Sequence, residues 1–352
     1  MDVVMMILYT AVVLGVLVFV HEGGHYLAAR AFGVRVTEFM LGLPGPSVGF
    51  TWKGTRFGVT AVPLGGYARI CGMGSGEQSP YLKQVIKLVF ERGTVTMEEV
   101  ARALEISDDD AYNALEELAE WGTIAGPSRK DKINIYRTLE VKGVHELGTP
   151  QEIDDLDAFY EAEYAQQYRA IPFWKRSIIL LAGVAVNLLF AILLFILIYS
   201  VIGFDATHPQ TGELVHVTVD PLRAIGAGFN YIGMVITAVI GLFNPATAAQ
   251  TISDSASIVG IAARSKDAAD AGFVNFLFFV AMISVSLGIM NLLPVPPLDG
   301  GRFVVEVFQK ITRKPVTQRI MNALSVIGFL LIMALFVVMV GQDIQRFVFG
   351  NW

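Results

Sequence analysis

Residues 3–20 read VVMMILYTAVVLGVLVFV, and His21-Glu22-Gly23-Gly24-His25 follows without a break. An uncharged helical run of this length nearly crosses a hydrocarbon core of roughly 30 Å, which takes about 20 residues. Ionisable side chains at such depth are costly and mark function. Histidines at i and i+4 share one helix face, so both imidazoles reach a single divalent ion with Glu22 beside it. A catalytic zinc takes three protein ligands and keeps one position open. A third ligand, His or carboxylate, must therefore come from elsewhere in the chain.

The composition agrees with a membrane protein. Of 352 residues, 54% are hydrophobic and 16% charged, which argues against a disordered or cytosolic globular chain. The single cysteine, Cys71, excludes an intramolecular disulfide and reads as a packing residue, and the net charge of -6 gives no bulk attraction to nucleic acid. Met1-Asp2 lacks a basic n-region and the apolar run has no small-residue cleavage site, so the first segment is read as a retained span.

Four stretches are long enough to cross, 3–20, 177–199, 271–298 and 320–342, while 224–243 is ambiguous. Basic residues crowd between Arg30 and Arg176 and between Arg302 and Arg319, which assigns those segments to the cytoplasmic side. The N-terminus, the 203–270 loop and the C-terminus then lie outside. Residues 34–70 alternate in part, with a turn at Lys53-Gly54, as membrane-associated β-hairpins. From Tyr81 the pattern turns amphipathic: helices at Tyr81 to Arg92, Thr96 to Leu104 and Asp108 to Trp121 after a Ser107 cap, then a strand at Ile133 to Tyr136. The fold class expected is a polytopic α-helical membrane protein with about four transmembrane helices, a membrane-associated β-hairpin region and a small α+β winged-helix-like cytosolic insert. Its parts are 1–73, 74–170 for the insert and linker, and 171–352.

The third ligand is sought in Asn291-Leu292-Leu293-Pro294-Val295-Pro296-Pro297-Leu298-Asp299-Gly300-Gly301. Prolines break the helix, and freed backbone at membrane depth needs protein or a water-filled cavity to receive it. Asp299 is the carboxylate closing an otherwise uncharged span, so it is assigned to the ion with His21 and His25. His21 and Asp299 share a depth only if their spans run in the same direction. Residues 224–243 are therefore expected to be a re-entrant or interfacial helix on the outer side. His145, His208 and His216 read as solvated loop residues. Asn187 reads as glue between helices, and Gly45-Pro46-Ser47-Val48-Gly49 as a chance match to a serine-hydrolase elbow.

These motifs resemble the site-2 protease family of intramembrane zinc metalloproteases, closest to the regulator-of-sigma-E protease branch. The resemblance is carried by His21 to His25, Pro63-Leu64-Gly65-Gly66-Tyr67, Phe173 to Arg176, Ala182-Gly183, Asn187 and Asn291 to Gly301. It implies Zn2+ on His21, His25 and Asp299, catalysis by Glu22, and a substrate-binding strand from the hairpin at 57–70. Substrate contacts are expected from Asn291, Gly65, Gly66, Tyr67, Pro294 and Pro296. The implied substrate is a single-span membrane protein, such as an anti-sigma factor, cut in regulated proteolysis in the cell's inner membrane. Two features depart from the branch: the outer loop is too short for a PDZ domain, and roughly 90 residues are inserted on the cytosolic side. The insert's third helix opens Asp108-Asp109-Asp110 and continues through Glu116, Glu117 and Glu120, which phosphates repel. Arg129, Lys130 and Lys132 are its one basic cluster. A cytosolic protein partner or self-association through 81–138 is expected rather than nucleic acid. Two other readings are a membrane-anchored transcriptional sensor with a structural metal and a zinc transporter. Glu22 argues against the first, and the single ligand set against the second.

Overall fold

The computed structural model describes all residues except 1, 63–64, 75–76, 129–130, 132, 142, 208–211, 348 and 350–352. Pro63-Leu64, the basic cluster Arg129, Lys130 and Lys132, and His208 thus lie outside the described residues.

Helix α1 (Asp2–Ala31) carries the apolar run straight into the His21–His25 segment. It delivers the chain to a four-stranded sheet of β1 (Val36–Leu41), β2 (Ser47–Trp52), β3 (Thr55–Thr60) and β4 (Gly66–Ile70), in the order β2-β3-β1-β4. The β2–β3 hairpin turns at Lys53 and Gly54, both at positive φ, as the sequence predicts. The 57–70 segment differs from expectation. β3 pairs in parallel with β1, and β4 pairs with the other side of β1, so residues 57–60 are interior and only β4 offers an edge near α1. Alternation reports which face is buried but not which strand is the neighbour.

Residues 82–165 build a separate core. Helix α2 (Leu82–Arg92), β5 (Thr94–Thr96), α3 (Met97–Leu104), α4 (Asp108–Glu120), β6 (Ile124–Ala125) and β7 (Ile135–Thr138) follow in order, with sheet order β5-β7-β6. Ser107 caps α4 by accepting from Asp110 N at 3.1 Å, and Thr96 with Glu99 forms a capping box on α3. Leu82, Ile86, Leu115, Leu118, Trp121 and Tyr136 fill the interior. Helix α5 (Leu156–Ala165) closes it with Phe159, Tyr160 and Tyr164.

Helix α6 (Phe173–Ile196) continues through a wider turn at Leu197–Ile202 and crosses between α1 and α10 (Phe273–Asn291). Between them lie a hairpin, β8 (Phe204–Thr207) and β9 (Leu214–Val217), then α7 (Pro221–Gly241), α8 (Ala248–Asp254) and α9 (Ile258–Asp270). Helices α11 (Asp299–Thr312) and α12 (Gln318–Phe347) complete the chain. Among the described residues five helices are long and apolar enough to cross a membrane: Val3–Ala31, Phe173–Ile202, Pro221–Gly241, Phe273–Asn291 and Gln318–Arg346. The expected 271–298 span is shorter. It stops at Asn291, residues 292–298 are irregular, and Asp299 opens the next helix rather than closing the span. Pro294, Pro296 and Pro297 cannot supply the N–H groups a continuing helix needs. Gly300 lets α11 fold back, because a Cβ there would meet Leu293 O at 2.7 Å.

Candidate metal centre

The fold-back brings Asp299 to α1. Its Oδ2 lies 3.0 Å from His21 Nε2 and 3.2 Å from His25 Nε2, and the two Nε2 atoms are 3.3 Å apart. Tetrahedral zinc with ligand bonds of about 2.0–2.2 Å spaces its ligand atoms about 3.3 Å apart, so this triangle fits the ion. Both histidines are buried, at 8% and 7% exposure. His25 Nδ1 stands 2.7 Å from the Ile179 carbonyl, which can only accept. The neutral ring therefore keeps its proton on Nδ1 and points a bare Nε2 at a carboxylate oxygen and a second imidazole. Two imidazole nitrogens and a carboxylate oxygen converging in a buried site call for a cation. Among the described residues this is the one group of three or more His, Cys, Asp or Glu side chains gathered this way.

Helix α6 supplies the wall. Gly183 faces the triangle, and a Cβ there would lie 2.8 Å from His21 Cε1 and 2.9 Å from its Nε2. Ile179, Gly183 and Asn187 recur every fourth residue, which puts them on one face of α6. The carbonyl holds His25, the glycine leaves room, and the Asn187 amide meets His21 Nδ1 at 3.2 Å. Sequence reasoning treats Asn187 as glue. Its main-chain carbonyl does accept from Ser284 on α10 at 2.8 Å, but the side chain is turned to the histidine. The period-four stripe was the available signal, masked by apolar residues on every other face of the helix.

Glu22 projects from the same turn of α1, and its Oε2 accepts from the Ala68 amide of β4 at 3.0 Å. Gly66 on the same strand also approaches it, since a Cβ there would lie 3.4 Å from Glu22 Cγ. Tyr67 points elsewhere and donates to Glu38 at 2.9 Å. Gly65 precedes the strand at positive φ and its carbonyl accepts from Gly42 N. Asn291 ends α10, and its side chain makes no hydrogen bond among the described residues. Pro294 is exposed in the break, while Pro296 packs close to Gly328 of α12 and borders a cavity of about 580 Å³. The structure thus gathers His21, Glu22, His25, Asp299 and Gly66. Tyr67 and Gly65 serve the sheet.

A spanning helix that carries HEGGH, joined by a remote carboxylate at a helix break, defines a membrane-embedded metallopeptidase. The chain belongs to peptidase family M50, whose family model matches residues 9–335. It is similar to the zinc metalloprotease RasP of Geobacillus kaustophilus, at 27% identity over 96% of this chain and 97% of the relative. Proteins assigned as zinc metalloproteases in Campylobacter jejuni (26% identity, 97% of this chain and 94% of the relative) and Brucella suis (28%, 91% and 90%) are similar throughout. The chain is a zinc metalloprotease of the site-2 type, and Zn2+ is its cofactor.

Proposed function

We propose that this protein hydrolyses a peptide bond within a transmembrane segment of a single-span, membrane-tethered regulator, with His21, His25 and Asp299 holding zinc and Glu22 as proton carrier. The observation that carries this reading is the 3.0–3.3 Å triangle of His21, His25 and Asp299 with Glu22 on the same helical turn. When bound, zinc supplies Lewis-acid polarisation of the scissile carbonyl and acidifies water. Glu22 takes the water's proton and returns it to the leaving amide nitrogen. Its Oε2 is fixed by Ala68, which leaves Oε1 for that transfer.

A helical substrate hides its carbonyls in i to i-4 bonds and must be drawn out before attack. Strand β4 supports a route, because it is a sheet edge beside Glu22. An extended substrate segment adds to it as a further strand and recovers lost hydrogen bonds. The free Asn291 amide, beside the Pro294 and Pro296 break, offers another hydrogen bond to that segment. The cavity bordered by Gly72, Arg176, Pro296, Arg302 and Gln309 gives water a polar approach from the basic side.

In this reading the enzyme sits in the inner membrane with its site toward the cytosol and the start of α1 and the end of α12 outside. Helix α7 runs along the outer side. Its start is tied to Tyr199 through Val219, Gly228 lies on Phe195, and its end meets Thr247 of the segment that Arg346 of α12 also holds through Ser253. Exposed Val48, Phe50 and Trp52 on β2 suit contact with lipid. Residues 81–138 are a winged-helix-like module for a cytosolic protein partner or a second copy. Glu117 and Glu120 of α4 accept from the amides of Ser79 and Gly74, which commits the end of that helix to its own chain rather than to DNA.

Co-expression with a tethered model substrate tests the reading. Cleavage is expected from the wild type and not from Glu22→Gln at equal zinc content. Continued cleavage by zinc-loaded Glu22→Gln removes Glu22 from the chemistry.

A further inference from the structure

Asn187 is fully buried, its Nδ2 stands 3.2 Å from His21 Nδ1, and its Oδ1 has no hydrogen-bond partner. The α6–α10 crossing uses its main-chain carbonyl, through Ser284. The amide is therefore left to the imidazole alone.

The two histidines differ in what faces Nδ1. His25 meets the Ile179 carbonyl, a pure acceptor, so its neutral ring has one tautomer. His21 meets an amide, which is a donor on one side and an acceptor on the other. His21 Nε2 lies 3.0 Å from Asp299 Oδ2, on the ligand side of the ring, while Nδ1 faces the amide. Coordination needs a bare Nε2, which puts the proton on Nδ1, where only an acceptor is tolerated. A half-turn of the amide places Oδ1 there without moving the backbone.

We infer that Asn187 is a positioning residue for the zinc: its amide oxygen accepts from His21 Nδ1–H when His21 ligates through Nε2, and so fixes the ring's tautomer and orientation. This rests on His21 being a ligand. Outer partners of this kind hold ring orientation, and losing one typically weakens metal affinity 10–100-fold.

The test uses the full chain in detergent, with Zn2+ affinity from chelator competition and Co2+ absorption bands as the spectroscopic readout. Asn187→Leu is expected to bind Zn2+ about 10–100-fold more weakly, with shifted Co2+ bands. Asn187→Asp, which keeps an acceptor, is expected to hold at least wild-type affinity. Ser284→Ala, which cuts the helix contact but spares the amide, is expected to match the wild type. Wild-type affinity and bands in Asn187→Leu overturn the inference, as does an equal loss in Ser284→Ala. Should Asn187→Leu fail to fold, as judged by thermal unfolding without metal, weakened binding by a folded Asn187→Asp overturns it instead. Absence of stoichiometric zinc from the wild type is a separate result, against the ligand assignment itself.

Discussion

The Ala68 amide of β4 donates to Glu22 Oε2 at 3.0 Å, joining the sheet's edge strand to the acidic residue of α1. That N–H points away from β1, so a proline at this position leaves the sheet's ladder intact. Ala68→Pro is expected to keep zinc and fold while lowering proteolysis. A hydrogen bond to a charged group contributes about 1.5–3 kcal/mol, so turnover should fall about 10- to 100-fold. Single-turnover cleavage at matched zinc content checks this.

Gly183 is the clearance for the ligand triangle. Gly183→Ala places a methyl 2.8 Å from His21 Cε1, and the ring must turn away. Zinc content of the purified variant is expected to fall well below one per chain. Gly226→Ala, on a face with open space, is the matched control and should retain it. Equal zinc in both variants would contradict the crowding.

Arg35, just before β1, clamps the 82–165 unit to the four-stranded sheet. Its guanidinium donates to the Trp121 and Gly122 carbonyls and, in two bonds of 2.8 Å, to the Glu163 carboxylate. Glu163 also receives Thr123 Oγ1 at 2.6 Å. Arg35→Ala strands a carboxylate only 12% exposed. Complete burial would cost about 3–5 kcal/mol, and residual solvent brings the loss to about 2–3 kcal/mol. Limited proteolysis is expected to cut first near residues 72–80 and 150–155, where the unit joins the membrane core.

His216 carries an acceptor at each ring nitrogen, Asp205 Oδ1 at Nδ1 and the Ile202 carbonyl at Nε2, both at 2.9 Å. The Asp205 hydrogen bond foremost, and the Ile202 carbonyl next, raise its pKa above the ordinary 6.5. A raised folded-state pKa gives stability that is present below 6.5 and lost as pH rises through the higher folded value. Amide exchange in β8 and β9 should therefore be slower at pH 5.5 than at pH 8.5. His216→Gln should remove the difference.

Cys71 has no exposed surface, and burial pushes its thiol up to about 12. As the lone cysteine it gives a clean readout. The native protein should resist maleimide at pH 7.5 and react fully once unfolded. Rapid native labelling would mean that the β4 to Tyr168 junction opens.

Much of the site was legible because HEGGH has a fixed meaning on a helix: spacing alone sets two imidazoles on one face. Asp299 was legible from charge, being a carboxylate in a proline-broken apolar stretch. Its place at the start of α11 was not, since the prolines announce a break without saying how the chain re-enters. The helices of the insert fell within a residue or two of Ser107, Thr96 and Arg92, where caps and periodicity agree. The parallel β1–β3 pairing escaped because alternation carries no partner information.

By itself the sequence determined the membrane class and pointed to the candidate ligand types and the glutamate beside them, because hydropathy and helical spacing act within a few residues of each other. Tertiary structure alone decided that α6 walls the centre with Ile179, Gly183 and Asn187, and that β4 rather than β3 reaches Glu22. Those contacts join residues distant in sequence, and only the packing of helix on helix and strand on strand fixes which atoms meet.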